Sequence, residues 1–129
     1  MGARGSTIVC LAITAVIIAV LLQDCDSGGS AAQRGKQIFD QKAMCLSCHW
    51  LGEHGGQNAP VLDHVATKFI ALKGGREQAR AWFHAHLVDP KNNPGTEKAK
   101  FPFTEMPPFE HALDPDELED LIEYVLSLE

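Results

Sequence analysis

Cys45, Cys48 and His49 form the stretch of this chain whose residue types and spacing point most directly to chemistry. Two cysteines three positions apart, with a histidine directly after the second, are the signature for covalent attachment of a c-type haem. One helical turn puts both thiols on one side, where each can form a thioether to a porphyrin vinyl group, and His49 then falls under the iron. The sequence therefore predicts one haem c, attached through Cys45 and Cys48 and ligated by His49.

Two other uses of a Cys-x-x-Cys pair need surroundings that this sequence does not show. A thioredoxin-like redox pair belongs in the strand–helix setting of a βαβ fold, and a structural zinc site needs a second ligand pair at metal spacing. The other cysteines, Cys10 and Cys25, lie far upstream. Haem attachment is therefore favoured, and thiol–disulfide exchange is a distant alternative that thioethers on both cysteines would exclude.

The composition fits one small domain whose core a cofactor completes. The chain has 129 residues, with 11 Lys and Arg against 17 Asp and Glu, and an aromatic content of 7%. An acidic balance argues against non-specific nucleic-acid binding, which needs a basic face. Because the protein core is thin, we expect the apo form to be poorly ordered, since a ligand bound only by the folded state stabilises that state.

The first 25 residues read as a signal or membrane-anchor segment, and residues 26–30 as a flexible linker. Residues 7–22 are apolar and uncharged; at about 1.5 Å per residue they cover roughly 24 Å, short of the about 30 Å of a hydrocarbon core. No Ala-x-Ala cleavage site follows. Cys25 has part of a bacterial lipoprotein box, although Asp24 stands where a small residue is expected. An uncleaved helix, a lipid on Cys25 and release by cleavage all stay open, and each places the domain on the periplasmic, extracytoplasmic side.

Residues 31–129 are predicted to form one all-α domain. Hydrophobic periodicity, caps and breakers indicate helices at residues 31–43, 63–71, 76–88 and from Asp114 onward. Ser30 can cap the first of these helices, and Asp89-Pro90 ends the third. Pro115 and Glu117 give the last helix a first-turn proline and a capping box. Its acidic residues are expected to face water, and residues 91–109 to form a long loop.

Met106 is the candidate for the sixth iron ligand, opposite His49. The other two methionines stand at position 1 and directly before Cys45, where neither can fold over the haem. Two prolines follow Met106, and a stiff loop holds a weak ligand with little entropy to lose. The alternative is that Met106 only fills a gap in the core. His86 competes from the apolar stripe of its helix, but a lone histidine there is more often a core residue than a ligand.

With these residues the chain resembles the class I (monohaem) cytochrome c family over residues 31–129. The resemblance rests on residues 35–39, 45–49, 58–62 and 106–109 and on the amphipathic last helix. It implies a cytochrome c fold of three to five helices wrapped around one covalently bound haem, behind an N-terminal hydrophobic anchor.

The resemblance also implies particular contacts around the haem. The first and last helices cross, with Gly35 and Phe39 packed against Tyr124. The Pro60 carbonyl accepts a hydrogen bond from the His49 ring, which would fix its orientation and basicity. Trp82 reaches a haem propionate, which would add it to the cofactor-binding residues.

Residues 81–96 look like cytochrome c subunits and domains of membrane respiratory or photosynthetic complexes. In those proteins the Pro-Gly turn is usually close to the ligand methionine, whereas here residues 97–105 intervene between Gly95-Thr96 and Met106. The aromatic residues of this insertion could shield the haem or form a docking surface, and the sequence leaves that choice open.

One-electron transfer is the leading functional hypothesis, and the domain is not expected to be an enzyme itself. With both axial positions filled by protein, the iron has no place for a substrate. The tether would hold the domain near membrane redox partners at high effective concentration, as a shuttle or as a subunit of an electron-transfer complex. The alternative is a haem enzyme or gas sensor with an open iron position, which would bind carbon monoxide when reduced.

Overall fold

The protein is described here by a computed structural model that covers residues 29–129, and this part of the chain is mostly helical. Helix α1 covers Ala31–Gln37, α2 covers Val65–Lys73, α3 covers Arg76–Val88 and α4 covers Pro115–Val125. The remaining regular elements are short: a π-helical turn at Ile38–Lys42, 3₁₀ turns at Cys45–Ser47 and Lys98–Lys100, and strands β1 (Trp50–Leu51) and β2 (His54–Gly55). The two strands pair antiparallel, with Trp50 opposite Gly55. The predicted all-α class is confirmed.

Helix α1 begins as predicted but ends earlier. Ser30 caps it through a full capping box with Gln33, in which each side chain accepts from the other's backbone N–H. The prediction of one α-helix through residue 43 is wrong in its second half, where the chain widens into the π-helical turn. The Ala43 N–H reaches back five residues to the Ile38 carbonyl at 2.8 Å. Both Ile38 and Phe39 are buried in this turn, so it serves the core.

Helices α1 and α4 cross in close contact, as the resemblance implied. Gly35 is buried, and a Cβ built on it would lie 1.9 Å from the Asp120 carbonyl oxygen. Phe39 meets the Tyr124 ring edge-on, with 5.1 Å between ring centroids. Only glycine allows the two backbones to approach this far, because any side chain would collide with the backbone of α4.

Helices α2 and α3 contribute buried residues to the same core cluster as the π-helical turn and α4. Helix α2 begins at Val65, two residues later than predicted, because His64 adopts a left-handed conformation with φ +57°. Helix α3 has the predicted bounds of Arg76–Val88. The two helices are joined by stacked rings, with 4.1 Å between the centroids of Phe69 and Trp82.

Helix α4 confirms its predicted capping box and its buried stripe. The Glu117 N–H donates to Asp114 Oδ1 at 2.9 Å, and the Asp114 N–H donates to Glu117 Oε2 at 3.0 Å. Its buried residues, together with the one that follows the helix, are Leu118, Leu121, Ile122, Val125 and Leu126.

The prediction that the acidic residues of α4 simply face water is incomplete. Asp120 is partly buried and accepts two hydrogen bonds from the Arg34 guanidinium, at 2.6 and 2.8 Å. The other ion pairs of this face join Glu117 to Lys42, Glu119 to Arg80, and Glu123 to Arg76 and Arg80. Together with the Arg34–Asp120 pair they link α4 to α1, to the π-helical turn and to α3. Exposed pairs contribute at most about 1 kcal/mol each, so they orient the helices more than they stabilise them.

Within residues 29–129, no helix is both long and apolar enough to cross a membrane. The predicted anchor at residues 1–25 and most of the predicted linker lie outside the described residues.

Candidate haem site

The cysteine motif forms one tight turn, as its spacing predicts. The 3₁₀ turn Cys45–Ser47 follows Met44, whose backbone is left-handed with φ +51°. The N–H groups of Cys48 and His49 both donate to the Cys45 carbonyl, at 3.2 and 2.9 Å. This turn brings the two cysteines and the histidine onto one short piece of backbone.

Two adjacent glycines brace the turn from the following loop. The Gly56 N–H donates to the Leu46 carbonyl at 2.9 Å. A Cβ on Gly56 would lie 2.4 Å from the Ser47 carbonyl oxygen, and a Cβ on Gly55 would lie 2.0 Å from that of His49. The glycine pair therefore lets the loop approach the motif closely. The sequence predicts only a loop here, although two consecutive glycines close to a ligand motif are a signal for such a close approach.

His49 has the geometry and the protonation state that an iron ligand needs. Its Nδ1–H donates to the Pro60 carbonyl at 2.7 Å, the hydrogen bond that the resemblance implied. Burial lowers the pKa of the ring, with the bond to Pro60 acting in the opposite direction. A neutral ring that donates from Nδ1 keeps its lone pair on Nε2, and metal ligands must be deprotonated in this way.

Two adjoining cavities open beside His49, with volumes of about 340 and 490 Å³. Six residues line both of them: His49, Pro60, His86, Gly95, Phe101 and Met106. The structure thus brings together His49 and Met106, which are 57 positions apart by number. Cys45 and Trp82 line the larger cavity only. Volumes in this range are those of ligand-binding clefts.

The residues present fit a covalently held haem. The cavity walls are mainly apolar, and they carry the His49 imidazole, the Met106 thioether and the Cys45 thiol. Cys48 lines neither cavity but follows Cys45 by three residues in the same turn, so the donor set of a c-type haem is complete. Burial raises the pKa of the Cys45 thiol to about 12. Thiol–disulfide exchange needs a thiolate, usually with a lowered pKa, so this environment disfavours that alternative.

The insertion at residues 97–105 closes over one side of the cavities. Glu97 accepts from Lys68 of α2 at 2.7 Å, and this ammonium group holds the pKa of Glu97 below its usual value. Lys98 donates to the Thr104 carbonyl within the insertion. Phe101 lines both cavities, whereas Phe103 is 99% exposed. One of the inserted aromatic residues therefore shields the site and the other points to solvent.

Trp82 and His86 form a stacked pair on α3 beside the cavities. Their rings lie 4.8 Å apart and nearly parallel, at 11°. The His86 Nδ1–H donates to the Asn93 carbonyl at 2.6 Å. His86 is thus hydrogen-bonded, as predicted for a core histidine, but it is only partly buried and also lines both cavities. A contact between Trp82 and a propionate stays a prediction.

The comparison with protein families agrees with this site. The model of the family described as cytochrome c matches residues 32–129, which includes the cysteine motif and Met106. No curated protein matches the chain significantly. Covalently bound haem c is the cofactor of the matched family, whose members are generally electron carriers, and Cys45 and Cys48 fit its attachment motif. With more than half of its length matched, the chain belongs to the cytochrome c family.

Proposed function

We propose that this domain transfers single electrons through a haem c whose iron is held between the His49 imidazole and the Met106 thioether. The supporting observation is that both side chains line the same two cavities. When bound, the haem supplies one Fe(III)/Fe(II) couple. His49 and Met106 would hold the iron, while Cys45 and Cys48 would hold the porphyrin.

The residues around the proposed ligands orient His49 and cover the cavities, which suits electron transfer better than catalysis. The Pro60 carbonyl fixes the orientation of His49, and Phe101 covers the cavities together with the insertion that carries it. If His49 and Met106 both hold the iron, no position would be left for a substrate or a gas. The alternative, a haem enzyme or gas sensor, needs such an open position. The described residues favour the closed site, because Met106 already lies in both cavity walls.

Replacing Met106 by alanine tests the proposed ligation. The variant should lose the charge-transfer absorption that a thioether–iron bond gives to the ferric protein. Its reduction potential should also fall, because axial ligands set haem potentials over a range of about 0.8 V and methionine raises them. Both properties are measured on the purified haem-loaded protein, by absorption spectroscopy and by redox titration.

Met44→Ala is the matched control for that experiment. Met44 is 59% exposed and precedes Cys45 directly, so its removal should leave the absorption band and the potential unchanged. A Met106→Ala protein with an unaltered ferric spectrum would contradict the ligation.

The proposal extends to a membrane tether on the extracytoplasmic side. Its support is the apolar stretch of residues 7–22 with Cys25 behind it. The mass of the mature N-terminus distinguishes the possible anchors: an uncleaved helix leaves Met1 or Gly2 first, whereas lipidation leaves a modified Cys25. A mature chain that starts after residue 25 without lipid would overturn the tether.

The redox partners of the tethered domain are either soluble proteins or subunits of a membrane complex. A tether keeps the domain near such partners at high effective concentration. Copurification in mild detergent separates the two roles, since a free shuttle elutes alone and a subunit elutes with its complex.

A further inference from the structure

His86 and His49 make the same kind of hydrogen bond, although the sequence favours only His49 of the two as an iron ligand. Each ring donates its Nδ1–H to a backbone carbonyl, His49 to Pro60 at 2.7 Å and His86 to Asn93 at 2.6 Å. A carbonyl oxygen can only accept, so in both rings the proton is on Nδ1 and the Nε2 lone pair is available. Metal-bound histidines almost always hold their second nitrogen in this way.

His86 also lies where a ligand of the haem iron would have to lie. Of the six residues that line both cavities, only His49, His86 and Met106 carry an atom that ligates haem iron. Stacking on Trp82 fixes the plane of the His86 ring, with 4.8 Å between centroids. His86 therefore offers an oriented nitrogen donor at the site.

We propose that His86 is a reserve nitrogen ligand for the haem iron, lining the same cavities as Met106, and that it takes the sixth position when the Met106 sulfur is removed. This inference rests on the His49/Met106 ligation proposed above. The two candidate ligands belong to different kinds of backbone structure. His86 belongs to the regular helix α3, whereas Met106 follows an insertion that polar contacts of Glu97 and Lys98 hold in place.

Exchange of the sixth ligand would give the site two states. With Met106 bound the potential is high, because methionine ligation raises it relative to two histidines. With His86 bound the potential is lower, and the iron stays six-coordinate and closed to small molecules. Loss of the thioether would then lower the driving force for accepting electrons without opening the iron to other chemistry.

The test compares ferric haem spectra of variants that lack Met106. Met106→Ala should remain low-spin, with the electron paramagnetic resonance signature of two imidazole ligands. Met106→Ala combined with His86→Gln should become high-spin and water-bound, and should bind carbon monoxide readily when reduced. Met106→Ala combined with His84→Ala is the matched control, because His84 lies on the same helix but is exposed; it should stay low-spin.

Helicity and haem content of each variant show whether the domain remains folded, and glutamine is used because it nearly keeps the size of the ring. A high-spin Met106→Ala protein would overturn the role of His86 while leaving the proposed ligation intact. A double variant with His86→Gln that stays low-spin would also overturn it, because another residue would then be the ligand. An unaltered spectrum for Met106→Ala would refute both the proposed ligation and this inference.

Discussion

Replacing Gly35 by alanine should destabilise the domain by about 1–3 kcal/mol, the usual cost of forcing extra atoms into a packed contact. The new Cβ would meet backbone atoms of α4, with the Asp120 carbonyl oxygen at 1.9 Å and its carbon at 2.6 Å. Backbone atoms cannot rotate away as a side chain does, so the two helices would have to separate. Contacts this short with backbone atoms put the packing cost at the upper end of that range or above it. The cost therefore exceeds the about 1 kcal/mol by which alanine is the better helix former. Denaturant unfolding of the haem-loaded protein measures the difference.

Gln37→Ala provides the control on the same helix. Gln37 is exposed, so its replacement should change the free energy of unfolding by less than about 0.5 kcal/mol. If Gly35→Ala were as stable as the unaltered protein, α1 and α4 could not cross at the distance that the structure shows.

Elements that are marked by local signals were predictable from the sequence. The bounds of α3 follow from glycines before it and from Asp89-Pro90 after it. The start of α4 follows from a capping box whose members are three residues apart. The cysteine motif is local in the same sense, since its chemistry depends on the spacing of five consecutive residues.

Features that depend on tertiary contacts were missed or misplaced. The π-helical turn of Ile38–Lys42 has no sequence signal that separates it from an α-helix, and it serves to bury Ile38 and Phe39. The left-handed backbone of His64 delays α2 by two residues. The ion pairs of α4 join residues that are up to 86 positions apart, as in the pair of Arg34 and Asp120. No periodicity within one helix reveals such partners.

In the candidate site, too, local features could be predicted from the sequence and tertiary contacts could not. Met106 could be selected from three methionines by exclusion, but its place in the same cavities as His49 needed the folded chain. The contact of His86 with both cavities could not be inferred from the sequence either. Its position on an apolar stripe predicts burial, whereas its bond to the Asn93 carbonyl and its exposure to the cavities depend on the path of the loop after α3.

Replacing both Cys45 and Cys48 by alanine should abolish covalent attachment of the haem altogether. The intact mass of the protein should then correspond to the polypeptide alone, and any haem retained by His49 and Met106 should be extracted by acidified organic solvent. The domain should also lose much of its order, because cavities of about 340 and 490 Å³ would lose the group that fills them. Circular dichroism and thermal melting measure that loss.

Ser47→Ala is the matched control for the two cysteine replacements. Ser47 lies between the cysteines and is exposed, so the variant keeps both thiols and should carry haem that survives denaturation. Haem that stays bound to the double variant after denaturation would place the attachment at other residues. Haem loss with unchanged helicity and melting temperature would contradict the expectation that the cofactor completes the core, because a ligand bound only by the folded state must stabilise it. The two readouts therefore separate the chemistry of the motif from the contribution of the haem to folding.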